Sequence, residues 1–136
     1  QSMILVDSSV WIDYFNGQST SQVEILDNLL GAQPVAIGDL ILAEVLQGFR
    51  QDSDYITAKR LLTSLTVFNL LNSDLAIQSV DNFRVLRKQG ITIRKTIDVI
   101  IATFCIQENH ALLFSDRDFM PFVQHLGLQA VRTQES

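Results

Sequence analysis

Five carboxylates in this chain stand where carboxylates are costly. Asp7 ends the apolar run Met3-Ile4-Leu5-Val6, and Asp116 and Asp118 follow Leu112-Leu113-Phe114-Ser115. Glu44 lies inside Leu40-Ile41-Leu42-Ala43-Glu44-Val45-Leu46, and Asp98 inside Ile97-Asp98-Val99-Ile100-Ile101-Ala102. An unpaired buried carboxylate is strongly disfavoured or takes up a proton, and like charges held close raise each other's pKa. Each acid has a bland reading of its own. Glu44 fits the solvent-facing position of a buried helix, Asp98 an acid in a first helical turn, and Asp7, Asp116 and Asp118 turn or cap acids. Their conjunction points elsewhere, because all five fall where a strand end or helix start can face one rim. Oxygen donors without His or Cys select hard cations, Mg²⁺ or Mn²⁺. One or two such ions orient a water and neutralise the charge of a phosphodiester transition state. No Ser-His-Asp order, cysteine nucleophile or phosphate-cradling glycine loop offers a rival chemistry.

Composition sets the frame around those acids. At 136 residues, with 47% hydrophobic and 18% charged residues, the chain reads as one globular domain, expected over residues 3–132. Gln1-Ser2 before Met3 is read as an appended remnant and kept out of the fold reasoning. The net charge of -5 argues against a nucleic-acid partner until its distribution is considered. Setting the five acids aside leaves ten of the fifteen, which equals the ten Lys+Arg. The acidity is therefore local to the proposed site, where divalent cations would offset it. The apolar runs fall far short of the roughly 20 residues of a membrane span, and no signal peptide opens the chain. Cys105 is alone in an apolar run and reads as a small buried hydrophobe, so a cytoplasmic setting is expected.

The elements that must position the acids follow from periodicity and breakers. Strands are expected at Met3–Asp7, Val35–Ile37, Thr66–Leu70, Ala111–Phe114 and Leu128–Val131. Helices are expected after Ser8-Ser9 up to Asn16-Gly17, from Ser19–Ser21 to Gly31, and from Leu40 to about Phe49. Others cover Asp52–Leu65, the stretch from Asn72-Ser73-Asp74 to Gln89, Ile97–Glu108 capped by Thr96, and Phe119–Leu126. Apolar strands alternating with helices imply a three-layer α/β/α fold with a central, mainly parallel sheet of four to five strands. Such sheets bind ligands beyond their carboxyl ends, where Asp7 and Asp116 lie. If the first and fourth strands are neighbours, those two side chains start about 5 Å apart.

The segments Val6-Asp7-Ser8-Ser9-Val10-Trp11-Ile12-Asp13, Ala43-Glu44-Val45, Ile97-Asp98-Val99-Ile100-Ile101-Ala102 and Ser115-Asp116-Arg117-Asp118-Phe119 resemble the PIN-domain family. Within it they are most similar to VapC-type toxin ribonucleases, in matching order and spacing over essentially the whole chain. The resemblance implies a Mg²⁺/Mn²⁺-dependent endoribonuclease, the toxin of a toxin–antitoxin pair, held in check by a VapB-type antitoxin and cleaving structured RNA such as tRNA. It also implies a homodimer. Asp7, Glu44, Asp98 and Asp116 match the family's acidic quartet, and Asp118 matches a fifth acid ranked below them. In the mechanism implied, Asp7, Asp98 and Asp116 hold the metal, while Glu44 assists directly, through water, or as the proton acceptor. Ser8, Ser9 and Ser115 suit hydrogen bonds to those carboxylates or to water on the metal.

Arg84, Arg87, Lys88, Arg94 and Lys95 place half of the basic residues just before Asp98. Such a strip serves phosphate contacts or a helix end equally well, and Arg94 and Lys95 are the nearest to the site. Arg117 fits an ion pair as readily as a phosphate contact. Trp11, Tyr14 and Phe15 read as packing aromatics before base-stacking ones, Phe119 and Phe122 as core, and His110 and His125 as surface or helix-end residues. Two alternatives stand beside the nuclease. A Toprim-like phosphotransfer domain also ends a strand in Asp-x-Asp, but it wants a glutamate where this chain has Asp7. The other is a non-catalytic module whose acidic pocket captures a basic segment.

Overall fold

The structure is a computed structural model that describes residues 2–131, so Gln1 and residue 132, the expected end of the domain, lie outside it. Five short strands carry the centre: β1 (Ile4–Val6), β2 (Val35–Gly38), β3 (Thr66–Phe68), β4 (Ala111–Leu113) and β5 (Gln129–Ala130). Between them lie α1 (Ser8–Phe15), α2 (Ser21–Leu29), α3 (Asp39–Leu46), α4 (Asp52–Thr63), α5 (Ser73–Lys88), α6 (Thr96–Glu108) and α7 (Met120–Leu126). A single 3₁₀ turn, Arg117–Phe119, precedes α7.

All four strand pairings are parallel, in the order β3-β2-β1-β4-β5. The chain steps outward in one direction from β1 to β3, crosses back to β4, and steps outward the other way to β5. Because parallel crossovers are right-handed, the helices of the first two steps cover one face and those of the return steps cover the other. Packing agrees, with α1 against α2 and α3, and α5 against α6 and α7. The expected three-layer parallel architecture and the adjacency of first and fourth strands are both present.

β1 is the inner strand. Leu5 and Val6 are fully buried, as are Ala36 and Ile37 of β2 and Leu112 and Leu113 of β4. Except for β2, which runs on through Gly38, the strands are shorter than their apolar runs because pairing ends where the chain turns toward the helices. β3 departs from the expectation of strands without a polar face, since it is one of the two edge strands and Thr66 and Val67 are exposed. No helix among the described residues is long and apolar enough to cross a membrane.

Asp39 and Gly38 close one side of the sheet. Asp39 Oδ1 accepts the N–H of Leu40 at 2.8 Å and that of Leu70 at 3.1 Å, tying the end of β2 to the segment after β3. Gly38 packs directly on Leu70, and a Cβ at position 38 would collide with Leu70 Cγ, Cδ1 and Cδ2. Leu70 is buried and its backbone is held by Asp39, so the collision has no easy exit. Gly38→Ala is therefore expected to destabilise by about 1–3 kcal/mol. Thermal denaturation of Gly38→Ala and of Gly38→Ala/Leu70→Ala checks this: the single variant melts several degrees lower, and the second change recovers part of that loss. An unchanged melting temperature in the single variant would sink it.

Candidate metal centre

The site begins with the β1–β4 pairing. Val6 faces Leu113 in register, and the Asp7 N–H donates to the Leu113 carbonyl at 2.9 Å. Asp7 is thereby fixed on the carboxyl rim of the sheet. It holds the N-cap position of α1 in extended conformation, yet its carboxylate makes no capping bond. The helix expected to begin after Ser8-Ser9 in fact includes both serines. Ser9 donates its hydroxyl to Asp7 Oδ2 at 3.0 Å.

Asp98 lies in the first turn of α6 and is buried, with Asp98 Oδ2 lacking any hydrogen-bond partner among the described residues. Thr96 is the first helical residue, not the cap, which is Lys95. Asp116 caps the 3₁₀ turn, its Oδ1 accepting the Asp118 N–H at 2.9 Å. That side-chain turn folds the chain back on itself and returns Asp118 to the rim. One oxygen from each of Asp98, Asp116 and Asp118 lies within 4.8 Å of the others. Asp118, ranked last from the sequence, thus stands in the tightest acidic set among the described residues. The signal was the Asp-x-Asp spacing itself, which suits an Asx turn.

Asp7 lies outside that set of three but acts on Asp98 through its charge, and Glu44 acts in turn on Asp7. Burial pushes the Asp7 carboxyl up, opposed by the Ser9 hydroxyl and then the Ser8 amide, with the Glu44 charge raising it further. Burial likewise drives Asp98 up to about 7, followed by the charge of Asp7, while Lys95 pulls it down and Asp116 and Asp118 push it up again. Glu44 is half-buried, and among the described residues its carboxylate takes no hydrogen bond. The rim therefore gathers more negative charge than the protein compensates.

A hard divalent cation fits this arrangement on two grounds. The donors are all carboxylate oxygens, and the orphaned, buried Asp98 Oδ2 is a polar atom that only an absent partner would satisfy. The one ion pair among the described residues also touches the site: Arg94 Nε meets Asp118 Oδ2 at 3.2 Å. Lys95 is exposed beside it. Arg117 is exposed and pairs with no acid among the described residues. Ser8 is half-buried and Ser115 exposed, and neither hydroxyl reaches a site carboxylate.

Other candidate residues are placed away from the rim. Trp11 is fully buried and unavailable for base stacking; it packs on Tyr14 and Phe15, and Phe15 on Phe49. Phe119 and Phe122 are core. Cys105 is buried, and burial raises its thiol to about 12. His110 is a correction: it is buried, accepts the Met3 N–H on Nδ1 at 2.9 Å, and stacks on Phe68 and Phe104. Left-handed Asn109 turns the chain so sharply that the following residue enters the core. His125 is exposed in the last turn of α7, as expected.

Known proteins match this chain along nearly its full length. It is 28% identical over 130 residues to a VapC ribonuclease of Mycobacterium bovis, covering 94% of this chain and 97% of that protein. Ribonuclease VapC11 of Mycobacterium tuberculosis matches to the same degree. Among solved structures, DNA-bound VapBC from Salmonella typhimurium superposes with a TM-score of 0.74 at 14% identity, covering 96% of this chain and 98% of that one. VapBC2 from Rickettsia felis, bound to a promoter DNA fragment, gives 0.71 at 18% identity, with 96% and 98% covered. The PIN domain family model matches residues 4–121, which span both strand ends and every acid of the rim. This chain belongs to the PIN-domain family.

Proposed function

We propose that this protein is a Mg²⁺- or Mn²⁺-dependent endoribonuclease, the toxin of a VapBC-type pair, built as a single PIN domain over residues 3–132. The observation that carries the reading is the convergence of Asp98, Asp116 and Asp118 around a buried, unpartnered carboxylate oxygen. The relatives named as VapC ribonucleases support RNA as the substrate, with a structured RNA such as tRNA the favoured target. The likeness to VapBC complexes supports a VapB-type antitoxin as partner. A homodimer acting in the cytoplasm completes the proposal.

In this reading Asp98, Asp116 and Asp118 hold the cation, with Asp7 beside them and Glu44 at the outer edge. When bound, the ion acidifies a water and offsets the charge that builds on the phosphoryl oxygens. Ser9 keeps Asp7 Oδ2 oriented by its hydroxyl donation. The Asp116–Asp118 turn fixes two carboxylates relative to one another before any ligand arrives. Glu44, which takes no hydrogen bond among the described residues, would serve as the acceptor for the proton released by the attacking water. The deep side of the rim is closed by core residues, so the phosphate approaches from the exposed side that Arg94 and Lys95 border.

Antitoxin-free protein mixed with a total RNA pool tests this directly. Discrete fragments are expected with Mn²⁺ and none with excess EDTA. Cleavage that persists in EDTA would overturn the metal-dependent mechanism.

A further inference from the structure

Arg94 is placed with unusual care for an exposed cation. Its neighbour Ile93 is plugged into the core, only 5% exposed. On the other side, the Lys95 carbonyl accepts the N–H groups of Asp98 at 3.1 Å and Val99 at 3.4 Å. The Arg94 backbone is thus clamped between the core and the start of the helix that bears Asp98. Its side chain is the opposite, 75% exposed and held by one contact, Nε to Asp118 Oδ2. Asp118 is itself one of the three converging carboxylates. The two terminal NH₂ groups of the guanidinium, the fork that matches two phosphate oxygens, make no hydrogen bond among the described residues.

A single exposed ion pair of this kind is weak and readily exchanged. The three basic residues of the strip that lie on α5 are less suited to the task. Arg87 lies over the Phe83 ring at 5.4 Å, and neither Arg84 nor Lys88 contacts a site acid. We propose that Arg94 is a phosphate-contacting residue that exchanges partners: it holds Asp118 in the free protein and turns its unused guanidinium edge onto a non-bridging oxygen of the scissile phosphate once RNA is seated. This rests on the nuclease reading given above. Arg94 then serves twice, keeping a crowded carboxylate compensated at rest and stabilising the charge that develops on the phosphoryl group during attack.

Two readouts on Arg94→Gln and Arg94→Lys separate this from a purely structural role. Mn²⁺ titration of the RNA-free protein by calorimetry is expected to give affinities within about threefold of wild type or tighter, because Asp118 loses a competing cation. Single-turnover cleavage at saturating Mn²⁺ is expected to slow about 100-fold in Arg94→Gln, the scale of removing one donor to a developing oxyanion. Arg94→Lys keeps the charge but not the fork, so it restores RNA half-saturation more than it restores rate. The proposal is overturned if Mn²⁺ affinity falls tenfold or more in Arg94→Gln, since Arg94 would then merely orient Asp118. It is equally overturned if the cleavage rate stays within about threefold of wild type. Wild-type protein that cleaves no RNA in Mn²⁺ would remove the nuclease reading and this proposal together, an outcome visible without any variant.

Discussion

Asp98→Asn is expected to abolish cleavage and raise the melting temperature of the metal-free protein in a single change. Asp98 is buried, crowded by Asp7, Asp116 and Asp118, and left with one oxygen unpartnered. Its carboxyl is driven from 3.8 to about 7, so the charged form is disfavoured by the fold at neutral pH. Removing the charge while keeping the shape should return on the order of 2–4 kcal/mol above pH 7, as an upper bound. That corresponds to a melting point roughly 5–15 °C higher. The same change removes a central anionic donor, and cleavage should fall by about 10³-fold or more. Calorimetric unfolding in EDTA, beside a fluorogenic cleavage assay in Mn²⁺, reads both effects. An Asn variant that is inactive but no more stable than wild type would contradict the account of a strained carboxylate.

Acid should switch the site off well above the usual carboxylate range. A cation competes with the proton on Asp98, so apparent Mn²⁺ affinity is expected to fall about tenfold per pH unit below about pH 7. The dependence steepens further because burial also raises Asp7. Stability follows with a sign opposite to that of most acids. A carboxyl whose pKa is raised by folding favours the fold when protonated. That contribution is complete below its unfolded value near 3.8 and is lost as pH climbs to about 7. Metal-free protein should therefore melt at progressively lower temperature from pH 5 to about pH 7, whereas saturating Mn²⁺ flattens that slope, because the carboxyl is then deprotonated in the folded protein as it already is in the unfolded chain. Parallel slopes with and without Mn²⁺ would refute the linkage.

Much of this molecule was written plainly in local patterns. Apolar runs ending in Asp7 and before Asp116 mark two parallel strands, because only a strand buried on both faces lacks polar alternation. The β1–β4 adjacency that brings those acids together followed from general topology and matches the pairing found. What stayed hidden depended on geometry that no window of sequence carries. His110 reads as a polar loop residue beside Asn109, and its burial is fixed by Phe68 and Phe104 from distant elements. Asp118 reads as one more turn acid until the Asp116 side chain is seen to fold it back. Position in the sequence already favours Arg94 and Lys95 among the five cations of their strip, but only the fold shows that it is Arg94 that meets Asp118.

The strand order also decides when the rim is assembled during the chain's own synthesis. β1 occupies the middle of the sheet, but the strand on its acid-bearing flank arrives far later, as the Met3–His110 bond spanning 107 positions shows. A nascent chain complete through α5 already carries Asp7 and Glu44, yet contains none of Asp98, Asp116 and Asp118. Long-range pairings of this kind form late and slowly. Translation must therefore pass Asp118 before the carboxylate cluster can exist, and a product released short of that point lacks it altogether.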